Sequence, residues 1–326
     1  MSWRCSLGSA LLACTLLAGG QVLAQQVSLV FAGDTTLDDE PGALIERGGD
    51  PLAGFAPLFA GADIRIANLE CVVATTGEAG SKNYTFRAHP RVLPVLRRHL
   101  DGVTLANNHS GDFGREAFAE MLGLLQQNGL AQAGGGMNLA EAHRPWIVER
   151  KGLRIALLSY NEFMPRSFEA LHDAPGIAWS EDEQVVDDIR RARSVHKADL
   201  VIPFMHWGWE NERSANARQR QLARRMIDAG ADAVIGGHPH VTQDIEHYRG
   251  KPIVYSVGNF VMKETDNEFQ RQAWVLRMDF DRQGAQRLQT HAVRIGMDGI
   301  PQPDPATSSP CWQRGQTEVQ PCAAAR

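Results

Sequence analysis

The chain has 326 residues, 43% of them hydrophobic, and a formal charge of -5 at neutral pH. That is enough apolar material for a sizeable core in one large domain or two ordinary ones, which excludes a disordered chain. Lys and Arg are scattered without a basic stripe, so no nucleic-acid partner is expected and any anionic substrate must be met locally.

In chain order, "MSWRCSLGSALLACTLLAGGQVLAQQ" joins one early arginine, an apolar run and small residues ahead of Gln25. This is the layout of a cleaved secretory signal over residues 1–24, so the mature protein is expected to be exported, periplasmic or extracellular. Gly8, Ser9 and Thr15 interrupt the run and argue against a permanent span. The alternative is a lipid anchor at Cys14, which ends "LLAC". Loss of the signal would leave Cys71, Cys311 and Cys322. In an oxidising compartment the two cysteines flanking "WQRGQTEVQP" are expected to pair locally, leaving Cys71 a free, buried thiol.

Apolar runs of strand length then recur: "VSLVFAG" from Val27, "DIRIAN" from Asp63, "GVTLAN" from Gly102, "LRIALLSY" from Leu153, "DLVIPFMHW" from Asp199, "ADAVIGG" from Ala231 and "PIVYSVGN" from Pro252. Helical spacing lies between them. "REAFAEMLGLLQQNG" repeats apolar residues at three and four and ends at Gly129, while "EDEQVVDDIRRARSVHK" and "ARQRQLARRMIDAG" do the same with polar outer faces. The alternation predicts an α/β fold with largely buried strands, in one domain over residues 25–300. "AWVLRMDF" and "LQTHAVRI" read as a hairpin at an edge. Residues 301–326, including "IPQPDPATSSP", read as an extended, mobile tail carrying the local disulfide.

In open α/β sheets, ligands bind beyond the carboxyl ends of the strands. Here those ends carry Gly33-Asp34, Asn68-Leu69-Glu70, Asn107-Asn108-His109, His206-Trp207-Gly208 and His238-Pro239-His240. Each has a plainer account when taken alone. "VIGGHPHV" can be a turn that needs its glycines and Pro239 and has no use for His238 and His240; Asp34 can cap a turn, and His206 can sit satisfied in a core. Together they supply what a divalent-metal site requires: carboxylates to neutralise charge, with imidazoles and an amide oxygen for the remaining positions. His89, His99, His143, His172, His196, His247 and His291 stay outside this set.

"FAGDTTLDD", "IANLE", "FRAHPRVLPVLRRHLDGVTLANNHSGDFG", "MHWGWE", "IGGHPHVTQDIE" and "VYSVGNFV" stand in the order found in the poly-γ-glutamate capsule synthesis protein CapA family. The chain resembles that family, a branch of the calcineurin-like metallophosphoesterases, from about Val27 to about Val261. The resemblance implies a two-sheet α/β/β/α sandwich of the metallophosphoesterase type, holding one or two divalent metal ions (Mn, Fe, Zn or Co). Carried over by motif, Asp34 and His240 would ligate a first metal, Glu70 would bridge, and Asn108, His206 and His238 would serve a second. His109 would be the acid near the leaving group, oriented by Asp112. Thr36 stands where the superfamily has a histidine, so Asp38 or Asp39 is expected to substitute, or a single metal to be held. Glu70 replaces an aspartate and lengthens the bridge.

Arg87, Asn68 and Trp207 with Trp209 are expected to receive substrate, although Arg87 is equally suited to a surface salt bridge and Trp207 to a core. Glu210 and Asn259 are expected to hold ligands by hydrogen bonds. The resulting expectation is an exported metal-dependent hydrolase of capsule, poly-γ-glutamate or cell-envelope polymer metabolism. Its substrate would be a phosphoester or a carboxylate-rich, amide-linked anionic polymer or peptide, and membrane-bound capsule-synthesis machinery would be its partner. The alternatives are a metal-stabilised polymer-binding or assembly component without turnover, and a metal-dependent peptide epimerase.

Overall fold

The computed structural model describes residues 25–164, 166–263 and 265–322, so the expected signal segment and Cys14 lie outside the described residues. The chain opens with four parallel strands, β1 (Val27–Thr35), β2 (Ile64–Leu69), β3 (Gly102–Thr104) and β4 (Ala131–Ala133). Their crossovers contain α1 (Asp39–Glu46), α2 (Ala56–Ala60), α3 (Leu93–His99) and α4 (Gly114–Gln127). In α4 the buried residues Ala117, Phe118, Met121 and Leu125 recur at helical spacing, which turns one face onto the sheet.

After the short helix α5 (Leu139–Ala142) comes a second sheet: β5 (Trp146–Arg150), β6 (Leu153–Asn161), β7 (Leu200–His206), β8 (Val234–Gly237), β9 (Ile245–Tyr248) and β10 (Lys251–Val254). Its spatial order is β9-β10-β8-β7-β6-β5. Helices α6 (Asp182–Ser194) and α7 (Ala217–Ala229) cover its outer face through Val185, Ile189, Leu222 and Met226. The chain then returns to the first sheet with β11 (Asn259–Val261), parallel to the end of β1. The hairpin of β12 (Gln272–Asp281) and β13 (Gly284–Ile295) follows, with β12 antiparallel to β1.

Strand alternation explains the layering. Leu29 and Phe31 of β1 and Ile64 and Ile66 of β2 point between the sheets, where they meet Ile155, Leu157, Ile202 and Phe204. Val30 and Ala32 point the other way, toward α2–α4, and Val201 and Met205 point toward α6 and α7. Both faces of these strands are buried, hence their near-continuous apolar runs. The α/β/β/α sandwich implied by the resemblance is present. The parallel strands of both sheets end at the same rim, as the contacts below establish.

Two regions depart from expectation. "PIVYSVGN" is not one strand: β10 belongs to the second sheet and β11 to the first, and Gly258, at φ 76°, turns the chain between them. The segment after residue 300 is not a separate tail either. Pro301–Pro303 pairs with β13, and β14 (Pro310–Gln313) and β15 (Gln320–Pro321) extend the same sheet edge. Trp312, 2% exposed, fills the space between the sheets. An apolar anchor of that size holds the segment down, which the Pro- and Ser-rich composition around it conceals. Cys311 and Cys322 form a disulfide, and Cys71 is free and buried, its thiol pushed up to about 12 by burial. No helix among the described residues is long and apolar enough to cross a membrane.

Candidate metal centre

The strand ends are shaped by close backbone approaches. A side chain at Gly33 would put its Cβ 1.9 Å from the carbonyl oxygen of Gly258, because β11 crosses directly beside β1. The Asp34 N–H donates to that same oxygen (3.1 Å), and the β1 register shifts here, which aims the Asp34 side chain at the rim. The glycines of "VIGGHPHV" are fixed by the same crowding. A Cβ on Gly236 would meet the Tyr255 carbonyl at 2.1 Å, and one on Gly237 would meet Asp34 Oδ1 at 2.6 Å. His238 and His240 then adopt φ 92° and 58°, a backbone region uncommon for residues other than glycine and held by its surroundings. The His238 N–H donates to Asp34 Oδ2 (3.0 Å). The motif is therefore a strained turn that also delivers two imidazoles.

Asp34, Glu70, His206, His238 and His240 are all buried and converge from both sheets. His206 Nε2 lies 2.6 Å from Asn108 Oδ1, 3.1 Å from His238 Nδ1 and 3.3 Å from Glu70 Oε1. His240 Nδ1 is 3.4 Å from Asp34 Oδ2, and its Nε2 is 4.0 Å from Glu70 Oε1. Two overlapping sets, Asp34–Glu70–His206 and Glu70–His238–His240, each present one donor atom per residue within 4.8 Å of the others. Both oxygens of Glu70 and Nε2 of His238 are buried without a hydrogen-bond partner among the described residues. Burial raises the Asp34 pKa, but the hydrogen bond from His240 and the charges of His206 and His240 outweigh it and hold the carboxyl below its usual range. His240 shows the reverse balance. Burial disfavours its charge, yet Glu70, Asp34 and Asn259 lift it to about 10. Burial and the neighbouring histidines push His238 well down. A buried carboxyl without a hydrogen bond, set among three imidazoles and a second carboxyl, fits a divalent cation.

Supporting groups surround this set. Asn259 Oδ1 lies 2.8 Å from His240 Nδ1. His109 Nδ1 is 2.7 Å from Asp112 Oδ2, which also accepts from the Phe86 N–H (2.8 Å). The Phe86 ring covers the His109 imidazole at 4.4 Å. Lys82, which the sequence did not single out, reaches across from the loop before β3 to Asp112 Oδ1 (2.5 Å) and the Asn108 carbonyl (2.8 Å). Asn107, read only as a strand-end residue, donates to Asn68 Oδ1 (3.1 Å) and the Leu69 carbonyl and accepts from the His109 N–H, tying both loops together. A cleft of about 90 Å3 lined by Lys82, Asn108, Asp112 and Trp179 opens beside them.

Several expected roles need correction. Asn68 is fully buried and cannot meet substrate; its amide donates to Asp34 Oδ1 (2.7 Å) and lies 3.3 Å from His206 Nδ1, so it orients two side chains of the cluster. Trp207 is also fully buried, its indole N–H on the Tyr255 carbonyl, because strand alternation turns it opposite to His206 and into the α6–α7 core. Trp209 is the exposed one, at 64%. It lies edge-on to Phe163 (6.1 Å), whose ring covers His238 at 3.9 Å. Arg87 is engaged with the Gly77 carbonyl (3.2 Å) and the Phe113 ring (4.3 Å), and Glu210 is exposed beyond β7. Thr36 packs its hydroxyl toward Met262 Sδ, and Asp38 spends both oxygens on the N–H groups of Asp39 and Arg87. Asp39 is exposed. None of these three joins the buried donor set.

The fold and site define an α/β/β/α sandwich protein whose two sheets close a buried carboxylate–imidazole cluster able to hold a metal ion. The profile of the family described as "Bacterial capsule synthesis protein PGA_cap" matches residues 28–264, and the chain belongs to that family. It is 32% identical over 244 residues to the PGA biosynthesis protein CapA of Bacillus subtilis, covering 73% of this chain and 64% of that one. It is 32% identical over 164 residues to the capsule biosynthesis protein CapA of Bacillus anthracis, covering 50% of this chain and 40% of that one. The aligned part of the chain thus spans less than two thirds of either relative. A hypothetical protein from Thermus thermophilus shares the fold with TM-score 0.51 and 17% identity, over 81% of this chain and 98% of that one.

Proposed function

We propose that the protein is an exported metal-dependent hydrolase of capsule, poly-γ-glutamate or cell-envelope polymer metabolism, cutting an amide-linked carboxylate-rich polymer or a phosphoester. The observation that carries this reading is Glu70, a buried carboxyl without a hydrogen bond to either oxygen among the described residues, set 3.3 Å from His206 and 4.0 Å from His240. A buried carboxyl that lacks hydrogen bonds is poorly solvated, and a bound cation would satisfy both of its oxygens. Asp34, Glu70, His206, His238 and His240 would hold it, with the Asn108 amide oxygen beside them. Such an ion, when bound, polarises a scissile carbonyl or phosphoryl group and makes water more acidic.

The chain's own residues supply the rest. Asp112 accepts from His109 Nδ1, which leaves Nε2 to deliver a proton to the leaving group. Lys82 and the Phe86 N–H occupy the remaining valences of Asp112 and fix the pair in place. The relatives' names, which refer to PGA and capsule biosynthesis, support the polymer assignment. The Cys311–Cys322 disulfide supports export, since such bonds persist in oxidising compartments.

The test is elemental analysis of the purified mature protein, followed by assays on phosphomonoesters, phosphodiesters and γ-glutamyl peptides with each metal restored. Metal-dependent release of product supports the reading. A fully metallated protein that turns over none of these substrates would favour a polymer-binding component, the reading to which Thr36 leans by leaving one cation position short of a histidine.

A further inference from the structure

The mouth of the buried cluster has its own chemistry. On the His109 side, Phe86 covers His109, and the Lys263 ammonium stands 4.0 Å from the Tyr84 ring centre and 5.7 Å from that of Phe86. Tyr84 is 60% exposed. On the His238 side, Phe163 covers His238 and meets exposed Trp209. The Arg213 guanidinium lies 4.4 Å from the ring centre of Phe269, itself 48% exposed. Arg213 follows a segment tied to the His238-Pro239-His240 turn. The Asn211 N–H donates to the Pro239 carbonyl (2.8 Å), and Asn267 and Gln270 both donate to Asn211 Oδ1. Among the described residues, neither Lys263 nor Arg213 makes an ion pair, although most other cations here do, and both rest on aromatic rings.

We propose that Lys263 with Tyr84 and Arg213 with Phe269 and Trp209 are two clamps that hold one carboxylate-bearing chain across the mouth, so that the centre faces an internal bond. This rests on the polymer-hydrolase reading above. The physical basis is complementarity. Each cation is poised to pair with a side-group carboxylate while the ring beneath keeps it in place, and the exposed ring faces give the methylene stretches of the chain an apolar surface. Lys263 also lines a cavity whose other walls include Asp39, Glu40, Asp266 and Asp298. Those carboxylates repel such a chain and confine its path to the Tyr84 face. A carboxylate polymer is favoured over a single small anion because the two cations rest on separate rings, Tyr84 and Phe269, so that each would meet a different side-group carboxylate.

The experiment measures binding of a fluorescent γ-linked glutamate oligomer to the metal-loaded protein at low and high salt. Comparison is with Arg213→Gln, Lys263→Gln and the double variant, with melting temperature as the folding control. The expected result is an affinity loss of about five- to tenfold in each single variant, shrinking at high salt and combining in the double variant. Wild-type turnover is expected to release fragments of intermediate length. Unchanged affinity in both single variants overturns the clamps, and a loss confined to one of them overturns the bilateral arrangement. The outcomes separate from the hydrolase reading: intact binding without turnover sinks that reading and leaves the clamps standing, whereas turnover with affinity indifferent to both variants does the opposite.

Discussion

Asn108 and His109 are neighbours in the chain, yet their side chains face different tasks. Asn108 turns its amide oxygen to His206 Nε2, while His109 turns away to Asp112. His109→Gln is therefore expected to keep metal content and melting temperature near the parent values while lowering turnover. A positioned general acid contributes about a hundred- to ten-thousand-fold, and the loss should shrink for leaving groups that need no proton. Metal analysis beside kinetics on a leaving-group series checks this, and a drop in metal content would mean that His109 is a ligand instead. For His238→Ala and His240→Ala the expectation is opposite: bound metal falls while the domain stays folded, because both side chains lie on a loop end. Full occupancy in both variants would exclude them as ligands. The residue types of the buried cluster were legible in the sequence because Asp, Glu, Asn and His recur at strand ends, where turns alone do not demand them. Phe163 over His238 and Lys82 on Asp112 were not legible, since each depends on a contact between segments distant in sequence.

At the scale of elements, the approach of β11 to β1 is what places Asp34. Gly33→Ala would drive a Cβ against the Gly258 carbonyl, a backbone atom that cannot swing aside. A loss of at least about 1–3 kcal/mol in urea unfolding is expected, with weaker metal binding. The helices offer a pH-dependent test. Asp182 at the start of α6 accepts from Arg218 and Arg225 of α7 (2.5 Å each). The Arg218 hydrogen bond leads in holding its carboxyl below the usual value, against an opposing effect of burial. A carboxyl depressed in the folded state adds stability above its unfolded pKa, near 4, and loses it as pH falls through the folded value. Asp182→Asn should therefore lower the urea midpoint at pH 7 and converge with the parent in acid. Solvent screening keeps the difference near or below about 1 kcal/mol. A gap that persists unchanged at pH 2 would refute the assignment. Both helices were legible from their period, and β1, β2, β6 and β7 from their apolar runs. The passage from β10 to β11 was not, because "PIVYSVGN" is apolar throughout and only the Gly258 turn tells the two sheets apart.

At the scale of the molecule, the cluster joins the two sheets. Asp34 and Glu70 come from the first, at the ends of β1 and β2; His206, His238 and His240 come from the second, after β7 and β8. Two acidic groups and three imidazoles share this buried space, in which neither oxygen of Glu70 has a hydrogen bond among the described residues. Between the sheets lies an apolar core, and at the rim they are joined by the His238 N–H on Asp34 Oδ2 and the contact of Asn68 with His206, to which a shared cation would add. A metal bound by the folded state alone must stabilise that state by mass action, by about 2.7 kcal/mol at a free concentration one hundred times Kd. Chelation should thus lower the melting temperature of the parent, and restoring metal should raise it in a concentration-dependent way. His240→Ala should show little response to either treatment, because it has lost a donor from the second sheet. Metal uptake should also slow hydrogen exchange of the backbone amides at the ends of β1 and β8 more than those of β14 and β15, which lie at the far edge of the first sheet. A parent protein whose melting temperature and exchange pattern ignore both chelator and metal would show that the cluster does not bind a cation tightly enough to link the sheets.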